Sequence, residues 1–300
     1  MEWIVGIQNA INYIEDHLAD SIDYELVAKE SFSSAYHFQR VFSILSGYTL
    51  GEYIRNRRLS LAGAELATGK ARVIDIAAKY GYESPDSFTK AFQKFHGVTP
   101  SQARGNGVKL KNFSRLSFKI TLEGGSIMNY KIVEAEEKLL TGFKTRFSGT
   151  PESRKRQDHD FAVTTRLKQY ILQGLAHDCD TVYEVITNMD DDGYDFYIAA
   201  KLDPIMRNDM EEDLEEYAKA YEHISVPAGA YLVCETERCR YPTERLEALR
   251  RRAVTEWLPS TGYELANTPE FDIIHWFYKY GDEEINESRY IELWLPIVKK

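Results

Sequence analysis

Two amphipathic faces recur fifty residues apart in this chain. Phe38, Val41, Phe42 and Leu45 stand at positions i, i+3, i+4 and i+7, and Phe88, Ala91, Phe92 and Phe95 repeat that spacing. Apolar residues so spaced share one side of a helix. Gly47 and Gly97 each follow the last apolar position by two residues, where a left-handed cap ends a helix. Upstream, each copy carries a short apolar patch with a small residue in it, Val27-Ala28 and Ile76-Ala77, so that two helices can cross closely. Ser34 and Ser84 are placed to cap the helices that follow, and Gly81 supplies the turn of the second copy. Short helix, tight turn, longer helix is the helix-turn-helix plan. Its occurrence twice commits the first hundred residues to an all-α double helix-turn-helix domain.

The rest of that domain reads in the same way. Ile4, Ile7, Ile11, Ile14 and Leu18 form one apolar stripe on an opening helix, and residues 50–68 form a long connector with Leu59, Ala62 and Leu66 on one side. Arg55, Arg57 and Arg58 make a basic run in that connector. Gly63 sits inside it at a cost of about 1 kcal/mol relative to alanine, so a packing reason is expected. With the apolar faces turned inward, the second helices of the two copies present Tyr36, Gln39 and Arg40, and Asp86, Thr89 and Lys90. Gln bonds adenine edges in two places, Arg forks onto guanine, and Thr and Lys reach bases or phosphates. Any single surface helix carries such residues, and motif matches this short are weak. Two equivalent helices on a stiff connector instead suit successive major-groove sites about 10 base pairs apart.

Charge is divided unevenly. The net charge of −10 over 300 residues splits into −1 for residues 1–105 and −9 for residues 106–300. A near-neutral DNA-binding half leaves affinity to a few placed basic groups and base contacts rather than to a general field. The length exceeds what one core usually spans, so two domains are expected. No run approaches the apolar length of a membrane helix, and the start lacks the basic and apolar regions of a signal peptide. A cytoplasmic protein without membrane partners is expected. The three cysteines, Cys179, Cys234 and Cys239, are an odd count without metal-ligand spacing, which reads as unpaired thiols in a reducing compartment and as no metal or cofactor.

Glycine-rich punctuation at residues 105–107 and 124–126 surrounds an alternating segment, 116–122, that reads as a strand. We therefore place a DNA-binding domain at 1–105, a linker at 106–127 and a second domain at 128–300. The second domain passes twice through one pattern. Strands at 130–133 and 139–147, a helix near 160–173 and strands at 181–188 and 194–201 make the first pass. Strands at 223–226 and 230–236, a helix over 243–257 and strands at 271–278 and 289–296 make the second. The pattern predicts an α+β domain of two β-α-β-β units with antiparallel sheets. The acidic stretch 209–216 between the passes reads as a solvated face.

At these residues two family resemblances become specific. Ser34-Ala35-Tyr36-His37-Phe38-Gln39-Arg40-Val41-Phe42, Gly51-Glu52-Tyr53-Ile54-Arg55 with Arg58-Leu59, Gly81-Tyr82-Glu83-Ser84-Pro85-Asp86-Ser87-Phe88 and Gly97-Val98-Thr99-Pro100 resemble the AraC/XylS DNA-binding domain over about residues 4–104. That resemblance implies seven helices, recognition of promoter DNA by a single chain, and activation through contact with RNA polymerase. Phe32 stands where many members of the family have glycine, so the first turn need not share the geometry of the second. Asp86 would repel phosphate, which makes the second helix the poorer reader. Dimerisation is not required, because one chain carries two reading helices; a monomer or weak dimer is expected.

The second domain is similar to the GyrI-like effector-binding domain over about residues 128–298. Val226-Pro227-Ala228-Gly229, Glu256-Trp257-Leu258-Pro259-Ser260-Thr261-Gly262-Tyr263, Pro269-Glu270-Phe271-Asp272 and Glu292-Leu293-Trp294-Leu295-Pro296-Ile297 carry the likeness. It implies an aromatic cleft with an acidic residue that meets a hydrophobic, cationic small organic ligand, and the family's glutamate falls here at Asp272. Alternation puts Asp272, Ile274 and Trp276 on one face of their strand, and Phe271, Ile273 and His275 on the other. A carboxylate inside a core-facing strand needs a partner. Ile274 replaces a frequent tyrosine. Trp257 and Tyr231 complete the candidate cleft, although tyrosines such as Tyr183, Tyr197 and Tyr231 and the indole of Trp294 equally suit core packing, since cores use many aromatic residues and pockets few. Two other readings of the second domain remain: a hydrolase of reactive small molecules, for which only Asp272 near His275 speaks, and a protein-binding module, with which the acidic surface is compatible.

Overall fold

The structure is a computed structural model and describes residues 2–69, 71–117, 127–203, 220–277 and 282–300. Most of the expected strand at 116–122, the acidic stretch 209–216 and the end of the strand expected at 271–278 lie outside the described residues. The chain divides into two compact units, Met1–Gln39 with Thr49–Glu123 and Arg40–Tyr48 with Gly124–Lys300.

The first unit is helical: α1 (Glu2–Asp16), α2 (Tyr24–Glu30), the start of α3 (Ala35–Ser46), α4 (Leu50–Ala67), α5 (Val73–Lys79), α6 (Pro85–His96) and a 3₁₀ turn at Gln102–Arg104. Each boundary has a local cause. The Asp23 side chain accepts from the Glu25 amide to start α2, and Ser84 accepts from Ser87 to start α6. Thr49 and Glu52 close a reciprocal capping box at the head of α4. Pro85 fills the first turn of α6, where its missing N–H costs nothing, and Gly97 ends that helix with a left-handed φ of 83°.

The two turns match in geometry. The Ser33 amide bonds to the Ala28 carbonyl at 3.2 Å, and the Tyr82 amide bonds to the Ala77 carbonyl at 3.0 Å. Both turns pass through the left-handed region, at Phe32 (φ 54°) and Gly81 (φ 78°). Phe32 thus takes the conformation that glycine takes in the second copy, with its ring 78% exposed. The difference in residue does not become a difference in backbone; it is absorbed as local strain.

Small residues mark close approach. Ala28 and Ala77 are buried, and Leu59, Ala62, Leu66, Ile76, Phe88 and Phe92 share one core. Gly63 has the packing reason expected of it: a Cβ there would lie 2.7 Å from Cε1 of His96, whose Nε2 meets the Leu59 carbonyl at 2.9 Å. The basic run of α4 serves as bracing. Arg57 holds Glu15 of α1, and Arg58 donates to the carbonyls of Leu18 and Asp20. Phe113 and Leu116 donate to Ser60 and Tyr53 of α4, so this part of the expected linker lies along the first unit.

The second unit contains an antiparallel sheet: β1 (Tyr130–Ala135), β2 (Lys138–Ser148), β3 (Thr181–Thr187), β4 (Gly193–Ala200), β5 (Glu222–Val226), β6 (Gly229–Glu235), β7 (Tyr263–Leu265), β8 (Glu270–His275) and β9 (Tyr290–Lys299). Helices α7 (Pro151–Thr164) and α8 (Arg166–Leu175) fall in the first pass. The second pass holds α9 (Thr243–Arg252), continued by a π turn at Ala253–Trp257, and the short α10 (Glu283–Asn286). The single helix expected near 160–173 is therefore two, broken at Thr165.

Strand order is β1-β6-β9-β8-β3-β4-β2-β5, with β7 added on β9. This order is a palindrome of the two passes. Units β2-α7/α8-β3-β4 and β6-α9-β8-β9 meet at the β3:β8 pair, and each pass lends its first strand to the other, β1 to β6 and β5 to β2. On one face Leu140, Val185, Ile224, Val226, Tyr231, Val233, Phe271 and Trp294 form a single core. Residues from both ends of the sheet belong to it, so the sheet is curled. Trp276 lies just past the end of β8.

Candidate functional site

Asp86 and Lys90 are exposed at the start of α6, while Thr89 is partly buried with its hydroxyl donating to the Pro85 carbonyl at 2.7 Å. Tyr36 and Gln39 are partly buried on α3. Arg40 differs from all of these. It is 5% exposed, and within the second unit its Nε donates to Glu270 at 2.8 Å while a second nitrogen pairs with the other carboxylate oxygen.

The second unit contains a cavity of about 310 Å³, with Phe147, Tyr194 and Phe196 among its aromatic walls and Asp158, Glu184 and Asp272 among its acids. Strand alternation and register assemble it. Glu270 and Asp272 are two apart on β8 and share a face, and Glu184 of β3 stands directly opposite Asp272. Phe147 and Phe196 stack at 4.9 Å between ring centroids, with Tyr194 at 5.7 Å from Phe147.

Arg250, on the last turn of α9, reaches into this row of acids. Its Nη2 donates to Asp272 Oδ2 at 2.7 Å, and its Nε lies 3.3 Å from Glu270 Oε1. The partner that Asp272 needs is thus partly supplied by the chain. Its other oxygen, Oδ1, is buried and has no hydrogen-bond partner among the described residues, in a residue 3% exposed. An unsatisfied buried oxygen is costly, and Asp272 also lines the cavity.

The electrostatics separate the three acids. Burial would raise Glu270, but Arg40 and Arg250 outweigh it and hold the carboxyl below its usual range. Burial pushes Asp272 up to about 6, with Arg250 opposing and Glu270 adding to the rise. Burial, then the charges of Asp272 and Asp158, push Glu184 up to about 8 against the opposing pull of Arg250. Burial also raises Asp158.

The residues expected to line one cleft are dispersed. Asp272 lines the cavity. Ile274 shares its strand face and is 2% exposed. Trp276 carries the Arg289 guanidinium over its ring at 5.4 Å. Trp257 lies against Tyr130 and Tyr263, with centroids at 5.3 and 5.8 Å. Tyr231 belongs to the core on the opposite face, its hydroxyl donating to the Pro227 carbonyl. Glu184, Arg250, Phe147, Tyr194 and Phe196 were not anticipated as site residues. Only the alternation of Tyr183-Glu184-Val185-Ile186 hinted at Glu184, by placing an acid in an apolar strand.

Residues 27–106 match the family described as helix-turn-helix domain, and residues 131–297 match the family described as integron-associated effector binding protein. Regulatory protein SoxS of Salmonella typhimurium is 41% identical over 98 residues, covering 33% of this chain and 92% of that protein. The activator AarP of Providencia stuartii is likewise 41% identical over 98 residues, 33% of this chain and 73% of that one. An integron cassette protein of Vibrio cholerae of known structure is 17% identical, covers 56% of this chain and 95% of that one, and superposes with a TM-score of 0.37.

The fold is that of a two-part regulator, a helical DNA-binding unit followed by an effector-binding sheet unit. The chain belongs to the AraC-type helix-turn-helix family through its first third and to the integron-associated, GyrI-like effector binding family through residues 131–297.

Proposed function

We propose that this chain is a cytoplasmic, sequence-specific activator of transcription whose activity is set by a hydrophobic small molecule bound in the second unit. The observation that carries the DNA-binding half is the equivalence of the two turns, in hydrogen bonding and in left-handed φ, at Phe32 and Gly81. Both copies keep the geometry that presents a second helix to the major groove. Tyr36 and Gln39 on the first helix, and Thr89 and Lys90 on the second, are the proposed contacts, with Asp86 weakening the second reader. Arg40, paired with Glu270, reaches DNA only if that pair opens. The likeness to AarP, a transcriptional activator, supports activation, and contact with RNA polymerase is the proposed mode.

For the second unit, the cavity beside the unsatisfied Asp272 oxygen supports ligand binding. A positive charge on the ligand would meet that oxygen, and the aromatic walls would favour it further. The second unit is read as a sensor rather than an enzyme, in keeping with the regulatory relatives of the first.

The test is selection of bound sequences from random duplex DNA, followed by footprinting on the winners. Two protected major-groove segments about 10 base pairs apart are expected on one side of the helix. Gln39→Ala should relax the preferred sequence, whereas Lys90→Ala should weaken binding to all sequences alike and flatten its salt dependence. Absence of any enriched sequence would overturn the reading.

A further inference from the structure

The charges around the cavity form two sets. Arg250 is committed to Asp272 and Glu270, and Arg40 to Glu270, so that two cations face two acids in one bonded cluster. Glu184 is not in that cluster. Among the described residues, no ion-pair or hydrogen-bond partner reaches it, although it stands opposite Asp272 on the neighbouring strand.

Every element around Glu184 bears on its charge. Asp272 and Glu270 face it from β8, and Asp158, Arg154 and Lys155 from α7. Glu247 and Arg250 come from α9, Tyr194 from β4 and Arg40 from α3. Arg154 donates to the Gly47 carbonyl and lies over the Tyr194 ring at 5.6 Å. The acids nearest Glu184 repel its charge. A carboxylate opposite another carboxylate, behind aromatic walls, sheds that repulsion by keeping its proton.

We propose that Glu184 is protonated until a hydrophobic organic cation enters the cavity, and that the cation then expels this proton to solvent as Glu184 ionises beside it. Binding of the effector is thereby coupled to release of about one proton. The proposal rests on the small-molecule reading above and adds to it the residue that selects charge. Glu184 is partly buried, and its desolvation and its repulsion by Asp272 and Asp158, which push its carboxyl up to about 8, agree with this arrangement. The bare Oδ1 of Asp272 gives the incoming charge a second oxygen. A neutral ligand of the same shape would leave the proton in place.

The full-length protein would be titrated calorimetrically with 10-methylacridinium, a planar cation with no proton of its own, at about pH 7 in phosphate and in Tris. These buffers differ in ionisation heat, so the difference in apparent enthalpy counts protons. Release of close to one proton per cation is expected, with affinity rising up to about tenfold per pH unit between about pH 6 and 7.5. Glu184→Gln, which mimics the neutral carboxyl and should fold, is expected to bind the cation with little proton release at about pH 7 and with only the weak pH dependence that Asp272, at about 6, adds near the acid end of that range. If the unaltered protein binds the cation with no release, or if Glu184→Gln releases as many protons, the proposal fails and the small-molecule reading stands. If neither protein binds the cation while both bind neutral 9-methylanthracene, the proposal also fails and the sensor is one for uncharged molecules. If neither probe binds, both readings fall.

Discussion

Each unit holds an arginine against buried carboxylates, and the two networks differ in completeness. In the helical unit, Glu15 Oε1 accepts from Tyr53 at 2.6 Å and Arg57 Nε at 2.9 Å, and Oε2 accepts from Arg57 Nη2 at 2.7 Å. Arg57 also donates to the Phe113 carbonyl at 2.6 Å. Burial works to raise Glu15, yet the bonds from Arg57 and Tyr53 outweigh it and hold the carboxyl below its usual range. In the sheet unit, Arg250 satisfies one oxygen of Asp272, and among the described residues neither the other oxygen nor the Glu184 carboxyl has a hydrogen-bond partner. A closed network acts as a fastening. An open one has room for something more, and the same residue types serve both purposes according to how many donors arrive.

Breaking the closed network should have the largest effect. Glu15→Ala leaves Arg57 and the Tyr53 hydroxyl buried without their acceptor and should destabilise the helical unit by about 3–5 kcal/mol in denaturant unfolding. A loss below about 1 kcal/mol would mean that the brace is no stronger than a surface pair.

The open network should show itself through pH. Glu184 has a folded pKa above its unfolded value, so the folded state holds the extra proton, and stability falls as pH rises from about 4.5 to about 8. This group contributes at most about 1.4 kcal/mol per pH unit over that window. Glu184→Gln should remove this part of the slope and leave the sheet unit more stable than the parent near pH 8, read as the difference in unfolding midpoint at about pH 5 and pH 8. A slope unchanged by the substitution would place the titrating group elsewhere.

The smallest expected effect compares the two turns. Phe32→Gly relieves a left-handed φ that costs an L-residue about 1 kcal/mol, and it loses little burial because the ring is mostly exposed. A gain of about 1 kcal/mol is expected. Gly81→Ala should lose a similar amount, since its Cβ would stand 3.0 Å from Arg58 Nη1 in a φ that favours glycine. Opposite signs at the two positions would show that one geometry is imposed on both copies by their surroundings.

Legibility in the sequence followed the range of the forces involved. The doubled helix-turn-helix, the serine caps and the glycine stops all rest on residues a few positions apart or on a spacing that repeats; that Gly63 needed a packing reason was legible, but its partner His96, on another helix, was not. The strands of the second domain were legible from alternation, as was the shared face of Asp272 and Ile274. The break at Thr165 and the short β7 were not, because neither interrupts the apolar pattern. Arg40 read as a reading residue since a helical wheel shows a polar side without showing what covers it. Its partner Glu270 lies 230 residues away. Arg250 is one of three basic residues on the last turn of its helix and was not singled out by the sequence; only its placement over β8 distinguishes it from Arg251 and Arg252.

The repeated helical unit was therefore determined by the chain on its own: periodicity, capping and turn chemistry act over a handful of residues and leave little choice. The second domain shows where that ends. Its sequence contains two similar passes but not the exchange of β1 and β5 between them, nor the meeting of β3 with β8 that sets Glu184 against Asp272. Register between distant strands decides which charges share a small buried volume. In such a volume, neighbours rather than residue type decide which acids ionise.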